Sequence, residues 1–427
     1  MTPSHRFLFL QGPHGPFFQH LGRLLTAAGC DTKRVGFNAG DAAFWFDRAS
    51  YLPFDAPLAD WPAACAGIMD REGITDLVLY GDTRPVHAEA IRLARIRSLR
   101  VHVFEEGYLR PWWVSYERGG ANGNSRLMEI AVPEMQAAIA SLDPDLPDAP
   151  ARWGDMRHHV FYGMLYHGAI LAGPHRYRAY RSHRQIGVGR EFRLHLARLL
   201  TMPWASIERR LATRRVTRSG FPYHLGLLQL AHDASFRAHS PFASMTEFLE
   251  TVVEGFARGA PAHHHLVLKA HPLEDDRAPV RDTIRALTAR HGLTGRVHYL
   301  RGGKLAGLLN EARSAVTVNS TAAQQALWRG LPVLALGRSV YDKPEFLSRQ
   351  SVADFFADPH RPDSRAYRAY RRYLLETSQI AGGFYSARGR RQLLRQVVDM
   401  MLSELDPYDE LATGRPAPRQ NLKLVSG

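Results

Sequence analysis

VTVNSTAAQQALWRGLPVLAL, residues 316–336, reads as a strand, a helix and a second strand with a turn at each junction. The apolar run ends at Asn319-Ser320-Thr321, small polar residues that favour a helix start over a helix interior. The helical stretch closes at Gly330, and Leu331-Pro332 returns the chain to an apolar strand. Strands joined in this way through a helix lie parallel in one sheet. A Ser or Thr at the helix start also leaves backbone N–H groups and a hydroxyl facing an incoming anion. The helix dipole adds ~0.3–1 kcal/mol for a negative group there.

An earlier strand of the same pattern lies in HHLVLKAHPLE (264–274), where the apolar run 266–269 stops at Ala270-His271-Pro272. Pro272 lacks an N–H and biases His271 toward extended backbone, so the imidazole is held at the strand's carboxyl end. Ligands bind along that edge in open α/β sheets. His271 and the Ser320/Thr321 start should therefore share one edge and one phosphate, neutralising the charge on a departing nucleotide. A histidine that merely finishes a strand, and a plain N-cap, are the alternatives.

The alternation extends in both directions. Strands are expected at 6–10, 32–37, 76–80 and 99–104, with helices ending near Leu25 and covering 86–96. A second set of strands falls at 223–230, 266–269, 297–300, 314–318 and 332–335, separated by helices 245–258, 278–290, 305–312 and 322–329. The turn-rich DPDLPDAP (143–150) breaks the pattern. The reading is α/β and GT-B-like: two Rossmann-like domains facing a cleft, an Arg-rich helical insert and C-terminal helices. Residues 1–150 form the N-terminal acceptor domain, 151–218 the insert, 219–363 the C-terminal donor domain, 364–405 the helices and 406–427 a flexible tail.

With 427 residues, two domains are the default. A 45% hydrophobic and 22% charged composition is that of a globular protein. The two cysteines give no metal-type spacing and no disulfide framework, which fits a reduced, cytoplasmic setting. No secretory leader is expected, and the longest apolar stretch, 160–173, is too short to span a bilayer. The net charge is +14, yet only five of the 55 basic residues are Lys. From Arg176 to Arg218 there are twelve Arg against Glu191 and Glu208, interleaved with Tyr177, Tyr180, Phe192, Leu194, Leu199 and Trp204. That mixture suits an anionic membrane surface, and no nucleic-acid-binding signature accompanies it. Walker and G-x-G-x-x-G loops are absent, and the HHH at 263–265 has no partner at metal-ligand spacing.

Two acidic positions stand at strand ends. VHVFEEGYLRP (101–111) places Glu105 and Glu106 before a glycine turn, with a salt bridge to Arg110 as the alternative. In LGLLQLAHDASFRAHS (225–240), Asp233 follows the strand, with an N-cap as the alternative. Acids at strand ends of opposite domains match the nucleophile and acid/base pair that glycosyl transfer needs.

Ordered blocks along residues 7–390 resemble the capsule-polysaccharide biosynthesis proteins of the KpsS/KpsC group, β-Kdo transferases of Gram-negative bacteria. They are LFLQGPHGPFF, VGFNAGD, LYGDTRPVH, FEEGYLRPWWVSYE, LGLLQLAHDASFRAHS, LKAHP, VNSTAAQQALWRGLPV and GGFYSARG. The resemblance implies a retaining transfer from CMP-β-Kdo to a phosphatidylglycerol-type lipid, without a metal or cofactor, starting a poly-Kdo linker. It implies Asp233 as nucleophile and Glu105 or Glu106 as acid/base. It places the donor at His271, Pro272, Lys269, Ser320, Thr321, Asn319 and Gln229. Acceptor or cleft residues would be Gly12, Pro13, His14, Gly15, Asn38, Asp82, Arg84 and Arg110. One catalytic unit and the EEGYLRP wording are more KpsS-like, since KpsC-type proteins carry two modules. The protein would sit on the inner face of the cytoplasmic membrane, alongside other capsule assembly or export proteins. The competing readings are a non-catalytic assembly or export factor that binds lipid-linked glycan, and a transferase for another CMP-sugar, for example sialyl-like.

Overall fold

The computed structural model describes residues 5–142, 156–173, 177, 179, 187–231, 233–271, 274 and 279–414. The chain divides into two compact units. One comprises Met1–Arg126, Ala138–Thr201 and Leu374–Gly427, and the other Leu127–Ala137 with Met202–Tyr373. Twelve strands are described. In chain order they are β1 (Arg6–Phe9), β2 (Asp31–Gly36), β3 (Tyr51–Pro53), β4 (Asp76–Tyr80), β5 (Arg100–Glu106) and β6 (Trp113–Arg118). They continue with β7 (Tyr223–Leu227), β8 (His265–Lys269), β9 (Val297–Leu300), β10 (Ala312–Thr317), β11 (Val333–Ala335) and β12 (Gln379–Ala381).

The first unit's sheet has the order β12-β6-β5-β4-β1-β2-β3. From β3 to β5 every pairing is parallel, while β6 pairs antiparallel with both β5 and β12. The second unit's sheet is wholly parallel, in the order β11-β10-β7-β8-β9. In each unit the chain starts mid-sheet, runs out to one edge through two strands, and returns to build on the other side of the first strand. This is the doubly wound order, with switch points between β1 and β4 and between β7 and β10. Two such α/β units are the components of a GT-B-like fold.

Burial explains why these segments became strands. Parallel strands are covered on both faces and so read as unbroken apolar runs. Phe7, Leu8 and Phe9 of β1 are wholly buried, as are Leu266, Val267 and Leu268 of β8. Around the first sheet, Phe17, Phe18, Trp45, Phe104 and Tyr116 pack with Phe384 and Leu393 from the last part of the chain. In the second unit Phe248, Leu249, Val252 and Phe256 of helix Met245–Gly259 pack on β8 and β10 with Phe355 and Phe356. That helix is capped by Ser244, which accepts from the Glu247 N–H, while the Glu247 carboxylate reaches back past the cap to accept from the Ala243 N–H.

The C-terminal part departs from the expectation in two ways. Residues 364–405 are helices Ser364–Glu376 and Ala387–Leu402 interrupted by β12, which extends the first sheet. The expected tail begins with helix Pro407–Ala412, capped by Asp406. Tyr408 and Leu411 are buried, the Tyr408 hydroxyl donates to Glu117 at 2.8 Å, and Arg126 pairs with Asp409 at 2.9 Å. A buried aromatic with a satisfied hydroxyl outweighs the polar look of DPYDE. Residues 143–150 and 415–427 lie outside the described residues.

Candidate functional site

In the second unit Lys269, Leu227 and Thr317 stand side by side across β8, β7 and β10. Two residues further along, each strand delivers a predicted residue: His271, Gln229 and Asn319. Neighbouring parallel strands are about 4.8 Å apart, so His271 and Asn319 emerge roughly 10 Å apart on one edge. Gln229 and Asn319 are both buried and bonded to each other. Gln229 Nε2 donates to Asn319 Oδ1 at 2.9 Å, and the Asn319 backbone N–H donates to Gln229 Oε1 at 3.1 Å. Asn319 Nδ2 also donates to the Ser235 carbonyl at 3.1 Å. With their amides used in this way, Gln229 and Asn319 position the edge.

Asp233 caps helix Ala234–His239, its Oδ1 accepting from the Ser235 N–H at 2.8 Å and the Phe236 N–H at 3.4 Å. The N-cap alternative is thus realised. Asp233 is half-buried, and both capping bonds fall on one oxygen, Oδ1. His271 is also half-buried, and its carbonyl accepts from the Glu274 N–H at 3.0 Å in a turn just after β8. Pro272 lies outside the described residues. Lys269 is buried, with Nζ donating to the Ala270 carbonyl at 3.3 Å.

The helix after β10 is Ala323–Trp328, with Ala322 at the N-cap and no side-chain cap. Ser320 and Thr321 therefore form a turn ahead of the helix. Ser320 Oγ accepts from the Ala322 N–H at 3.3 Å, and the Ser320 carbonyl accepts from the Tyr341 hydroxyl at 2.7 Å. Tyr341 is a fixing residue that the sequence reading missed, and no local motif marks it.

In the first unit the predicted residues gather at the carboxyl ends of β1, β2, β4 and β5. Gly12 and Pro13 are buried after β1, and a Cβ on Gly12 would sit 2.6 Å from Phe18. His14 stacks on Tyr166 at 4.6 Å and meets His167 edge-on at 5.4 Å. Gly15 has φ +108°, with the Tyr162 ring 3.0 Å from where a Cβ would lie. Asn38 is fully buried and caps helix Ala39–Ala43 while donating to the Tyr166 hydroxyl at 2.9 Å. Its role here is to hold the tyrosine on which His14 stacks. Asp82, also buried, accepts from the Ala121 N–H at 2.9 Å and from Asn124 at 3.0 Å, tying down the 121–124 loop.

Glu105 and Glu106 end β5. Glu105 accepts from the Glu106 N–H at 3.0 Å. Burial pushes its carboxyl up to about 7, and the nearby charges of Glu106 and Asp82 add to the effect against Arg110. The Tyr80 hydroxyl donates to Glu106 at 3.3 Å, and the Tyr385 hydroxyl bonds with both Glu106 and Tyr80. His159 stacks flat on Tyr385 at 4.5 Å. The sequence reading gave neither tyrosine a role in the site, although LYGDTRPVH contains Tyr80 and GGFYSARG contains Tyr385. Arg84 lies over the Tyr80 ring at 5.6 Å. Arg110 is exposed, donates to the Gly107 carbonyl at 3.3 Å, and forms none of the described salt bridges. The Glu105–Arg110 bridge offered as an alternative is not formed.

Among the described residues no three His, Cys, Asp or Glu side chains gather as a metal site. The HHH run is absorbed by packing: His264 bonds with His224 at 3.1 Å, and His265 with His298 at 2.9 Å. No described helix is long and apolar enough to cross a membrane.

Comparison with known proteins places these features in context. The family model described as capsule polysaccharide biosynthesis protein matches residues 75–385. The capsule polysaccharide modification protein LipB of Neisseria meningitidis serogroup B is 31% identical over 405 residues, covering 90% of this chain and 93% of that protein. The capsule polysaccharide export protein KpsS of Escherichia coli is 28% identical over 395 residues, 90% of this chain and 98% of that one. Among solved structures, the β-Kdo 2,7 transferase of Thermosulfurimonas dismutans KpsC is 13% identical. It matches 93% of this chain and 100% of that chain with a TM-score of 0.44.

Proposed function

The chain belongs to the capsule polysaccharide biosynthesis family, and from that premise we propose that it is a retaining β-Kdo transferase using CMP-β-Kdo and a phosphatidylglycerol-type lipid acceptor. The observation that carries the catalytic part is Glu105, a carboxyl at a strand's carboxyl end with its pKa raised to about 7. A group poised near neutrality is suited to accept a proton from an acceptor hydroxyl.

The donor would lie at the β7/β10 switch point, its phosphate between His271 and the Ser320/Thr321 turn. Asp233 Oδ2 attacks the anomeric carbon, and the bond to the CMP phosphate oxygen breaks with its electron pair leaving on CMP. The acceptor hydroxyl then gives its proton to Glu105 and attacks the same carbon, which releases the Asp233 carboxylate. Two inversions retain the configuration. This scheme needs the two units' edges to act on one sugar. No step calls for a metal or cofactor.

The lipid acceptor brings the reaction to a membrane, and the basic 176–218 segment would hold the protein there reversibly, at ~1 kcal/mol per basic residue near an anionic surface. Residues 176, 178 and 180–186 of that segment lie outside the described residues. The test is to incubate the protein with CMP-Kdo and lipid acceptor, with and without EDTA, and weigh the product. One added Kdo per lipid in both samples is expected, and CMP but not UDP should raise the melting temperature. His271→Ala should weaken CMP binding without unfolding the protein. Transfer that EDTA abolishes and magnesium restores would overturn the donor-site reading.

A further inference from the structure

Among its described side chains, helix Val188–Thr217 exposes five large apolar ones: Leu196, Leu200, Trp204, Ile207 and Leu211. Trp204 is 76% exposed and Leu200 70%, the two highest values among the exposed large apolar side chains. Their spacing of four, four, three and four residues puts all five within an arc of about 80° on the helix. The stripe is about 22 Å long at the helical rise. Thr213 and Val216 are buried on the opposite side, and Thr213 accepts from the Lys304 N–H at 3.0 Å. The helix is thus anchored by one face and turns its apolar stripe outward.

Arginine frames the stripe. Arg193 and Arg214 fall on the same arc, three residues beyond either end, while Arg210 and Arg215 flank its two sides. All four are exposed, and Glu208 is the acid among the helix's described side chains. An apolar stripe bordered by cations matches the boundary between lipid chains and anionic headgroups, where Trp is also favoured. A second copy of the helix fits less well. Leu200, Trp204, Ile207 and Leu211 have the four-three-four spacing of a coiled-coil seam, but pairing would set the framing arginines against each other.

We infer that this stripe is the edge by which the protein enters an anionic bilayer, with Trp204 at its centre and Arg193, Arg210, Arg214 and Arg215 on lipid phosphates. The inference rests on the membrane part of the proposed function and sharpens it to residues. It supplies an apolar component that counter-charge attraction alone lacks.

Cys30 and Cys65 are both buried, so Trp204→Cys offers a single accessible thiol for an environment-sensitive fluorophore. With phosphatidylglycerol vesicles the label should brighten, shift to the blue and be quenched by lipids brominated in the acyl chains. The triple variant Leu200→Gln, Ile207→Gln, Leu211→Gln should melt like the parent, because these side chains are exposed, yet partition onto the vesicles at least about tenfold less. Equal partitioning of triple variant and parent would overturn the inference. So would a label already bright without vesicles in a protein that sediments as a dimer, which would assign the stripe to a second copy. Transfer to a detergent-dispersed acceptor, followed in parallel, separates this result from the catalytic reading. A label that enters lipid on an inactive enzyme supports the stripe and sinks the transferase.

Discussion

Gln229 and Asn319 are locked by a reciprocal pair of hydrogen bonds that joins β7 to β10 at the switch point of the second unit. Asn319 also holds the Ser235 carbonyl, and the Ser235 N–H is one of the two that Asp233 caps. Asp233 is therefore positioned by a chain of polar contacts starting in the sheet. Gln229→Ala would leave the Asn319 N–H and Oδ1 buried without partners, costing about 1–3 kcal/mol. Chemical denaturation should show that loss, and kcat should fall while KM for the donor stays within about twofold, since Gln229 positions the edge without touching substrate. An unchanged kcat would remove Asp233's dependence on this clamp.

Three buried histidines set the acid limit of stability. Burial lowers His224 to about 3 and His264 to about 4, with Arg313 reinforcing both. Burial also lowers His102 to about 4, although its bond to Asp76 pulls the other way. Each ring is neutral in the fold but takes a proton at about 6.5 in the unfolded chain. The unfolded state thus binds more protons between about pH 6.5 and 4, and stability falls as pH falls through that window. Burial raises the Glu105 and Glu117 carboxyls to about 7, so they take up protons in the fold over the same range and offset most of the histidines' cost, leaving a net loss of a few kcal/mol by pH 4. A melting temperature that stays flat from pH 6.5 to 4.5 would contradict this.

Much of the doubly wound core is legible because its strands are short unbroken apolar runs punctuated by helices. β4 and β9 fall where the sequence reading put them, and β1, β8 and β10 differ by a residue or two at their ends. The reading placed no strand at β3 or at β6, the latter an antiparallel neighbour of β5 in a pattern read as parallel throughout. Other elements escaped it because they depend on distant partners. Gln379–Ala381 has no strand pattern of its own and becomes β12 by pairing with Val114 and its neighbours. Tyr408 looks like tail until the buried Glu117 is in place to receive its hydroxyl. The site behaves alike. His271, Gln229 and Asn319 reach one edge because strand register puts them there, and register is implicit in the βαβ pattern. The Tyr80–Glu106–Tyr385 cluster needed β12 and its flanking turn to bring Tyr385 to β4, which no local motif records.

The raised Glu105 carboxyl predicts a pH–rate profile. As a base it must be ionised, so kcat/KM should rise with pH and reach half its maximum near pH 7. Glu105→Gln should lose roughly 10²–10⁴-fold and flatten the residual profile. The same loss in Glu106→Gln, with the inflection kept, is the expected signature of a carboxylate that orients Tyr80 and Tyr385. If Glu105→Gln kept the inflection and near-normal turnover, the base would have to be reassigned to Glu106.

Asp233 does two jobs in this reading, and substitution can separate them. Oδ1 caps helix Ala234–His239, whereas attack on the sugar needs Oδ2. Asp233→Ala removes both and should cost about 1 kcal/mol of stability through the lost cap. Asp233→Asn and Asp233→Ser keep a capping oxygen, so their melting temperatures should stay near the parent's. Neither can form a stable glycosyl ester, so both should lose transfer as completely as Asp233→Ala while still binding CMP at the His271 and Ser320/Thr321 edge. Mass spectrometry of the parent trapped with CMP-Kdo and no acceptor should find one Kdo on the peptide carrying Asp233. Turnover retained by Asp233→Asn but lost in Asp233→Ala would show that the cap alone matters, and it would leave the retained configuration to a front-face departure from the donor.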